Sequence, residues 1–252
     1  MLHPAEQTHW YDMQGKPCYT VIGANGKERD TTLRDARKFK AAGKPLVPSV
    51  TTICKEAARE GLQRWLRLQV LHAALTLPKI EGEAEEQYLD RIMADSREQS
   101  KNAAARGTTI HAAIQGRDLD GEYGTYVHGA VTAVEDWLPG MIWTPEKSFA
   151  HKLGFGGKVD AHCPEAVLDW KTKEFDLEDA DKLTVYDEHA MQLSAYRVGL
   201  GNPLSRCAIV FVSTKVPGLS RVHELDQNQL CRGWEMFNSL LRYWQSKTGY
   251  IP

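Results

Sequence analysis

Apolar residues recur along this chain with two different periods, and the change of period divides it. Between Gly154 and Phe175 the apolar positions are Val159, Ala161, Val167 and Leu168, separated by Cys163-Pro164-Glu165. Short apolar runs around a proline-containing turn predict two neighbouring strands. With the stretch before them they predict a meander over Ile142 to Ala150, Gly157 to His162 and Ala166 to Thr172. Cys207 to Ser213 is a continuous apolar run, the pattern of a buried strand, and Arg221 to Leu225 follows a Pro217-Gly218 turn.

Elsewhere the period is helical. From Val50 to about Leu77, Leu62, Trp65, Leu66, Leu68 and Leu71 mark an apolar side, and Lys55, Arg59, Arg64 and Arg67 a basic one. Further helices are predicted over Glu85 to Gln115, with a break near Gly107, and over Tyr126 to Leu138 and Asp187 to Leu200. The last, Asp226 to Lys247, carries Leu230, Trp234, Phe237, Leu241 and Trp244 on one face. Residues 1–45 read as an appendage to a main domain over 46–252. They hold a hairpin turning at Asn25-Gly26 and a short helix with Thr32 as N-cap, Asp35 three residues on and Gly43 as its stop. The expected class is α/β, a mixed central sheet flanked by helices with a helical N-terminal part.

Composition narrows the function classes. No apolar run approaches the ~20 residues needed to span a bilayer, and MLHPAEQTHWYD lacks the regions of a signal peptide. A cytoplasmic protein with no membrane partner is expected. Cys18, Cys54, Cys163, Cys207 and Cys231 are scattered and include no C-x-x-C pair, which argues against a zinc site or a disulfide framework. There is no Walker P-loop, so the chain is not expected to be a helicase. The net charge of −2 hides an asymmetry. Residues 1–80 hold 13 Lys and Arg against 7 Asp and Glu, and residues 81–252 hold 18 against 26. A basic first third beside an acidic remainder suits phosphate capture next to a carboxylate site, and suits equally a solvated basic helix face.

The chemistry concentrates in GFGGKVDAHCPEAVLDWKTKEF. Asp169 and Lys171 are two apart on a predicted strand and share a face, and Asp160 lies on the neighbouring strand. Two acids and a lysine at one point can hold a hard divalent cation and orient or activate a water for attack on a phosphodiester. Lys173, on the same face, is the alternative lysine. Gly154, Gly156 and Gly157 either let backbone or substrate come close or form an ordinary turn. Gln192 and Tyr196, four apart on a helix, can both reach phosphate, and Tyr196 can stack on a base; the alternative is a partly buried helix face. Arg106 and Thr108 flank a glycine at a place suited to phosphate. Ser49, Thr51 and Thr52 form either a phosphate cradle or an N-cap. Trp65 is either a base-stacking or strand-separating side chain or part of the core.

Together these elements resemble the PD-(D/E)xK nuclease superfamily, and their order resembles its RecB-type exonuclease branch. The elements are His111 in RGTTIH, Glu146 in TPEKSF, Asp160 in GKVD, Asp169 and Lys171 in DWK, and Gln192 and Tyr196 in QLSAY, with VPSVTTI upstream. The resemblance runs from Val47 to the C-terminus. It implies a restriction-endonuclease-like core and a metal-dependent DNA exonuclease using two Mg²⁺ or Mn²⁺ ions and leaving 5′-phosphates. It implies His111 and the Trp170 carbonyl as metal ligands beside Asp160 and Asp169. It also implies a catalytic acid at Glu146, whose alternative is an ion pair with Lys147 or Lys158. The four cysteines that hold an iron–sulfur cluster in some relatives are absent, so no cluster is expected. Because free-standing members are common in phages, the resemblance points to recombination, repair or DNA degradation, with a recombination or single-strand-binding protein as partner. A structure-specific endonuclease and a catalytically silent DNA-binding protein are the rival expectations.

Overall fold

The computed structural model of the chain describes residues 9–57 and 60–252. Expectations for residues 1–8 and for Arg59 lie outside them. Among the described residues up to Pro48 stand four short strands, β1 (Trp10–Asp12), β2 (Thr20–Ile22), β3 (Glu28–Asp30) and β4 (Leu46–Pro48), with α1 (Leu33–Ala41) before the last. Helices α2 (Val50–Cys54), α3 (Glu60–Thr76), α4 (Glu85–Gly116) and α5 (Gly124–Trp137) follow. Then come β5 (Thr144–His151), β6 (Phe155–His162), β7 (Ala166–Lys173), α6 (Asp187–Gly199), β8 (Arg206–Ser213), β9 (Ser220–Leu225) and α7 (Gln227–Thr248).

The central sheet has the order β5-β6-β7-β8-β9 and is mixed, with β7 and β8 parallel and the other neighbours antiparallel. β8 runs through its interior, and its side chains alternate between two cores. Cys207, Ile209 and Phe211 join the core under α6 and α7, while Val210 and Val212 join the core under α4 and α5. Burial on both faces explains why this strand is apolar without interruption. The apolar face of α7 is used as its period predicts, with Leu230, Phe237, Leu241 and Trp244 buried. Asp226 and Gln229 cap its start reciprocally. Among the described residues no helix is long and apolar enough to cross a membrane.

The N-terminal elements form as expected and dock on the sheet. The β2–β3 hairpin closes through Gly23 N–H to the Lys27 carbonyl, so its loop is longer than the Asn25-Gly26 dipeptide. Thr32 and Asp35 form the predicted capping box at the start of α1. β1 pairs with β4, and Trp10 is fully buried among Trp244 and Tyr250. The contact is close because of Gly156. A Cβ there would stand 2.8 Å from the Phe149 carbonyl, 2.9 Å from Val47 Cγ2 and 3.1 Å from the Tyr11 ring.

Two helical expectations need correction. The predicted helix from Val50 to Leu77 is two helices, and its apolar stripe does not enter the core. Leu62, Trp65, Leu66, Leu68 and Leu71 are 38 to 59% exposed. α3 lies along α4, where Ala73 and Ile92 are buried and the Tyr88 hydroxyl caps the Leu77 carbonyl. The expected break near Gly107 is absent, because α4 runs unbroken for 32 residues. That glycine serves packing: a Cβ on it would lie 2.6 Å from Thr172 Oγ1 on β7.

Two outcomes follow. Gly156→Ala should lower stability by about 1–3 kcal/mol, the usual size of an overpacked site, as read from urea unfolding. The second concerns acid. Arg29 donates to both oxygens of Asp35, at 2.7 and 2.9 Å. These bonds hold the Asp35 carboxyl well below the usual range, with Thr32 adding to the effect and burial opposing it. A depressed carboxyl contributes stability above its unfolded pKa of about 3.9 and loses it as pH falls through the folded value. Asp35→Asn should therefore flatten the fall in stability below about pH 4, measured by unfolding at stepped pH.

Candidate active site

The site lies where the sheet splits. β6 and β7 pair at Ala161 with Leu168 and at His162 with Val167, next to their turn. Beyond that point β6 follows β5, while β7 follows β8 along its full length from Ala166 to Lys173. The Trp170 N–H, which a regular ladder would pair with a carbonyl, donates instead to Asp160 Oδ2 at 2.9 Å. A carboxylate thus stands in the gap. Across β5 the register from Pro145 to Lys147 sets Glu146 opposite Asp160, and Glu146 takes a φ of 59°, rare for a side-chain-bearing residue.

His111 reaches the same carboxylate from above, with Nε2 2.9 Å from Asp160 Oδ2. The approach depends on Gly107, one turn earlier on the same face of α4, which seats the helix against Thr172. Asp169 is almost fully buried, and Lys171 Nζ lies 2.6 Å from its Oδ2. Gln192 on α6 binds the pair together. Its Nε2 donates to Asp169 Oδ1 at 2.7 Å and to the Tyr196 hydroxyl at 2.9 Å, and its Oε1 accepts from Lys171 at 3.3 Å.

These contacts set the charges. Burial pushes the Asp169 carboxyl up to about 6, with the Asp160 charge adding to the rise and Lys171 opposing it. Partial burial acts to raise the Asp160 pKa, yet His111 and Lys171 keep it below the ordinary value. Burial favours the neutral forms of Lys171 and His111, but the neighbouring acids outweigh it and raise both. Two carboxylates, one strained by burial and by the other's charge, and an imidazole make a donor set that suits a hard divalent cation. Among the described residues no three His, Cys, Asp or Glu side chains are already gathered around one point. The acids are held by His111, the Trp170 N–H, Lys171 and Gln192.

An open cleft of about 850 Å³ gives access to the site. It is lined by His111, Asp160, Asp169, Trp170, Lys171, Gln192 and Tyr196, and also by Ser49, Thr51, Trp65 and Thr108. Several predicted roles change. Gln192 and Tyr196 are buried, and Tyr196 packs edge-on against Phe149, so it has no face for a base. Ser49 caps α2 by accepting from the Thr52 N–H at 3.1 Å, and Thr52 is buried. Arg106 does not reach the cleft, because it donates to the Thr214 carbonyl at 2.7 Å and to the Tyr126 hydroxyl. Glu146 forms the ion pair with Lys158. Lys173 lies over the Tyr186 ring, away from the acids. Trp65 is half-exposed on the cleft wall.

Sequence reasoning missed one whole wall, which His9, Tyr11, Tyr19 and Lys158 supply. Tyr11 lies on the three-residue β1 and His9 and Tyr19 lie just outside strands, in stretches too short for a period to mark them. A second groove, of about 720 Å³ between α3, α6 and α7, has acidic Asp187, Glu188 and Glu235 on an apolar lining, but none of the groups just described.

No protein-family model matches the chain, and no curated protein matches it. Among solved structures the chain is similar to an alkaline exonuclease, LHK-Exo, from Laribacter hongkongensis. The identity is 14% over 74% of this chain and 98% of that one, with a TM-score of 0.34. LHK-Exo in complex with dAMP is similar at 14% identity over 72% of this chain and 88% of that one, with a TM-score of 0.39. The functional reading of this chain rests on the geometry around Asp160, Asp169 and Lys171.

The seating of α4 is testable through cation binding. Gly107→Val should push His111 from Asp160 and weaken Mn²⁺ binding by about tenfold or more, as loss of a supporting contact does. Gly116→Val, in open space on the same helix, should leave it unchanged. Calorimetric titration with Mn²⁺ compares the two.

Proposed function

We propose that the chain is a divalent-metal-dependent deoxyribonuclease that degrades DNA from its ends. The observation that carries this reading is the convergence of Asp160, Asp169 and Lys171 at the split between β6 and β7, on the floor of an open cleft. Asp160 and Asp169, with His111, would hold Mg²⁺ or Mn²⁺. The Trp170 carbonyl as a further ligand, and the count of two ions, come from the family resemblance, and the stoichiometry of Mn²⁺ binding measures the count. A bound cation offsets phosphate charge and lowers the pKa of an attacking water.

The remaining roles belong to the protein. Lys171, kept protonated by its acidic neighbours, serves as a donor: it orients the water and stabilises charge building on a phosphate oxygen. This favours the orienting role of the lysine over a proton-abstracting one. Gln192 positions Asp169 and Lys171 together. Water attacks phosphorus, the bond to the 3′ oxygen breaks, and that oxygen takes up a proton, so the product keeps its 5′-phosphate. Lys158, Thr51 and Thr108 line the path of the strand. Recombination, repair or DNA degradation in the cytoplasm is the setting this activity suits, with a single-strand-binding or recombination protein as partner.

Digestion of end-labelled linear DNA and of closed circles tests the reading, with Mg²⁺ or EDTA. The wild type should consume linear DNA in Mg²⁺ alone, and Asp169→Ala should lose at least about 10²-fold of that rate. Cleavage of circles would replace the exonuclease with an endonuclease. DNA binding without cleavage in any metal would leave a silent binding protein.

A further inference from the structure

The cleft wall formed by His9, Tyr11 and Tyr19 has a construction that the catalytic reading does not use. His9 and Tyr19 lie ring on ring, with centroids 4.4 Å apart and planes 26° from parallel. Tyr11 meets Tyr19 edge-on at 5.5 Å, and their hydroxyls bond at 2.7 Å. Of the three, Tyr11 is buried, Tyr19 half-buried and His9 exposed. All three line the same cleft as Asp160 and Asp169.

The pair is held in place at its backbone. The His9 carbonyl accepts from Ser49 N–H and the Tyr19 carbonyl from Thr31 N–H, each at 2.8 Å, and Cys18 N–H donates to the Trp10 carbonyl at 2.8 Å. Tyr11, the inner member, rests against Gly156 of β6, the strand that carries Asp160. Partial desolvation against Tyr19 and the charge of Lys55 lower the His9 pKa, with Asp30 opposing and Lys158 adding to the fall. A flat, fixed ring pair open to the cleft offers its outer face to another flat ring. Trp65 lines the cleft too, from α3.

We propose that His9 and Tyr19 form a base-stacking subsite, which takes a nucleobase of the DNA strand whose phosphate lies at Asp160 and Asp169. The subsite rests on the nuclease reading. Stacking on aromatic side chains tolerates any base, so it holds a strand without reading its sequence. It would give the N-terminal segment a function: a fixed wall against which the strand is laid before cleavage.

The test separates this subsite from the chemistry. Fluorescence anisotropy follows binding of labelled single-stranded oligonucleotides in Ca²⁺, with gels confirming that they stay intact. Each oligonucleotide carries one abasic site, walked inward from either end. In the wild type one abasic position should weaken binding about tenfold, within the range for one stacked base. Tyr19→Ala and His9→Ala should weaken binding of the intact strand by a similar factor and lose the sensitivity at that position, and Tyr19→Phe should keep both. Thermal melts confirm that the variants are folded. Indifference of the wild type to every abasic position, wild-type binding by both alanine variants, or sensitivity that survives in them overturns the subsite alone. No binding of any single-stranded oligonucleotide by the wild type overturns the subsite, while the digestion of end-labelled DNA decides the nuclease reading separately.

Discussion

One hydrogen bond organises this molecule: the Trp170 N–H donating to the carboxylate of Asp160. In a continuous sheet that N–H would meet a carbonyl of β6, and no space would remain between the strands. Here β6 leaves β7 after two pairs, and each strand keeps its other neighbour. A buried N–H without a partner is costly, so the split is stable only if something polar fills it, and Asp160 does. Its carboxylate is therefore held by the backbone of the very strand that carries Asp169 and Lys171. The spacing of the two acids is a property of the sheet, not of flexible side chains, which is the rigidity that a cation site requires.

The arrangement is not the one that stability alone would favour. Asp169 is buried and Lys171 half-buried beside it, and an ion pair recovers such desolvation only with good geometry and further hydrogen bonds. Gln192 supplies those bonds, to both partners at once. Even so, the Asp169 carboxyl is pushed up to about 6. Opposite Asp160, Glu146 sits at a φ of 59°, a conformation that costs about 1–3 kcal/mol in a residue of its kind. Strain and buried charge meet at one place in the sheet, and that place faces the cleft. Such coincidence is expected where a structure is shaped by chemistry rather than by packing.

Much of this was legible beforehand. The DWK spacing places Asp169 and Lys171 on one face whatever the fold, because strand side chains alternate. The α7 stripe and the Thr32–Asp35 box need only local geometry, and both form. What was not legible depended on distant partners. The stripe of Leu62, Trp65 and Leu66 marks one side of a helix, but a stripe does not say what covers it, and α3 leaves it facing the cleft and solvent. Gly107 looked like a helix break, since glycine weakens helices; it is kept because β7 lies too close for a side chain. For Glu146 the sequence left a catalytic acid and an ion pair open, and what it did not show was the register that brings Lys158 alongside. Tyr196 shares a helix face with Gln192 as expected, but that face is turned into the core, so its hydroxyl serves Gln192 rather than a base.

The cleft therefore joins three stretches far apart in the chain, and they differ in stiffness. The floor is sheet, fixed by ladders on both outer sides of the split. One wall, His9 to Tyr19, has only the short β1 as regular structure, yet its carbonyls are tied to Ser49 and Thr31, and Gly156 seats it on β6. The other wall is α3 and α4; α4 is anchored in the core by Ile110 and Ile114, whereas α3 packs mainly on α4 and leaves its apolar side chains half-exposed. A strand entering such a cleft meets fixed hydrogen-bonding and aromatic surfaces on the floor and on the N-terminal side. On the α3 side it meets exposed Leu62, Trp65 and Leu66, which can shift without disturbing either core. On the proposed reading, position along a DNA strand would be set by the sheet and the N-terminal wall, and variation in base size would be absorbed on the α3 side.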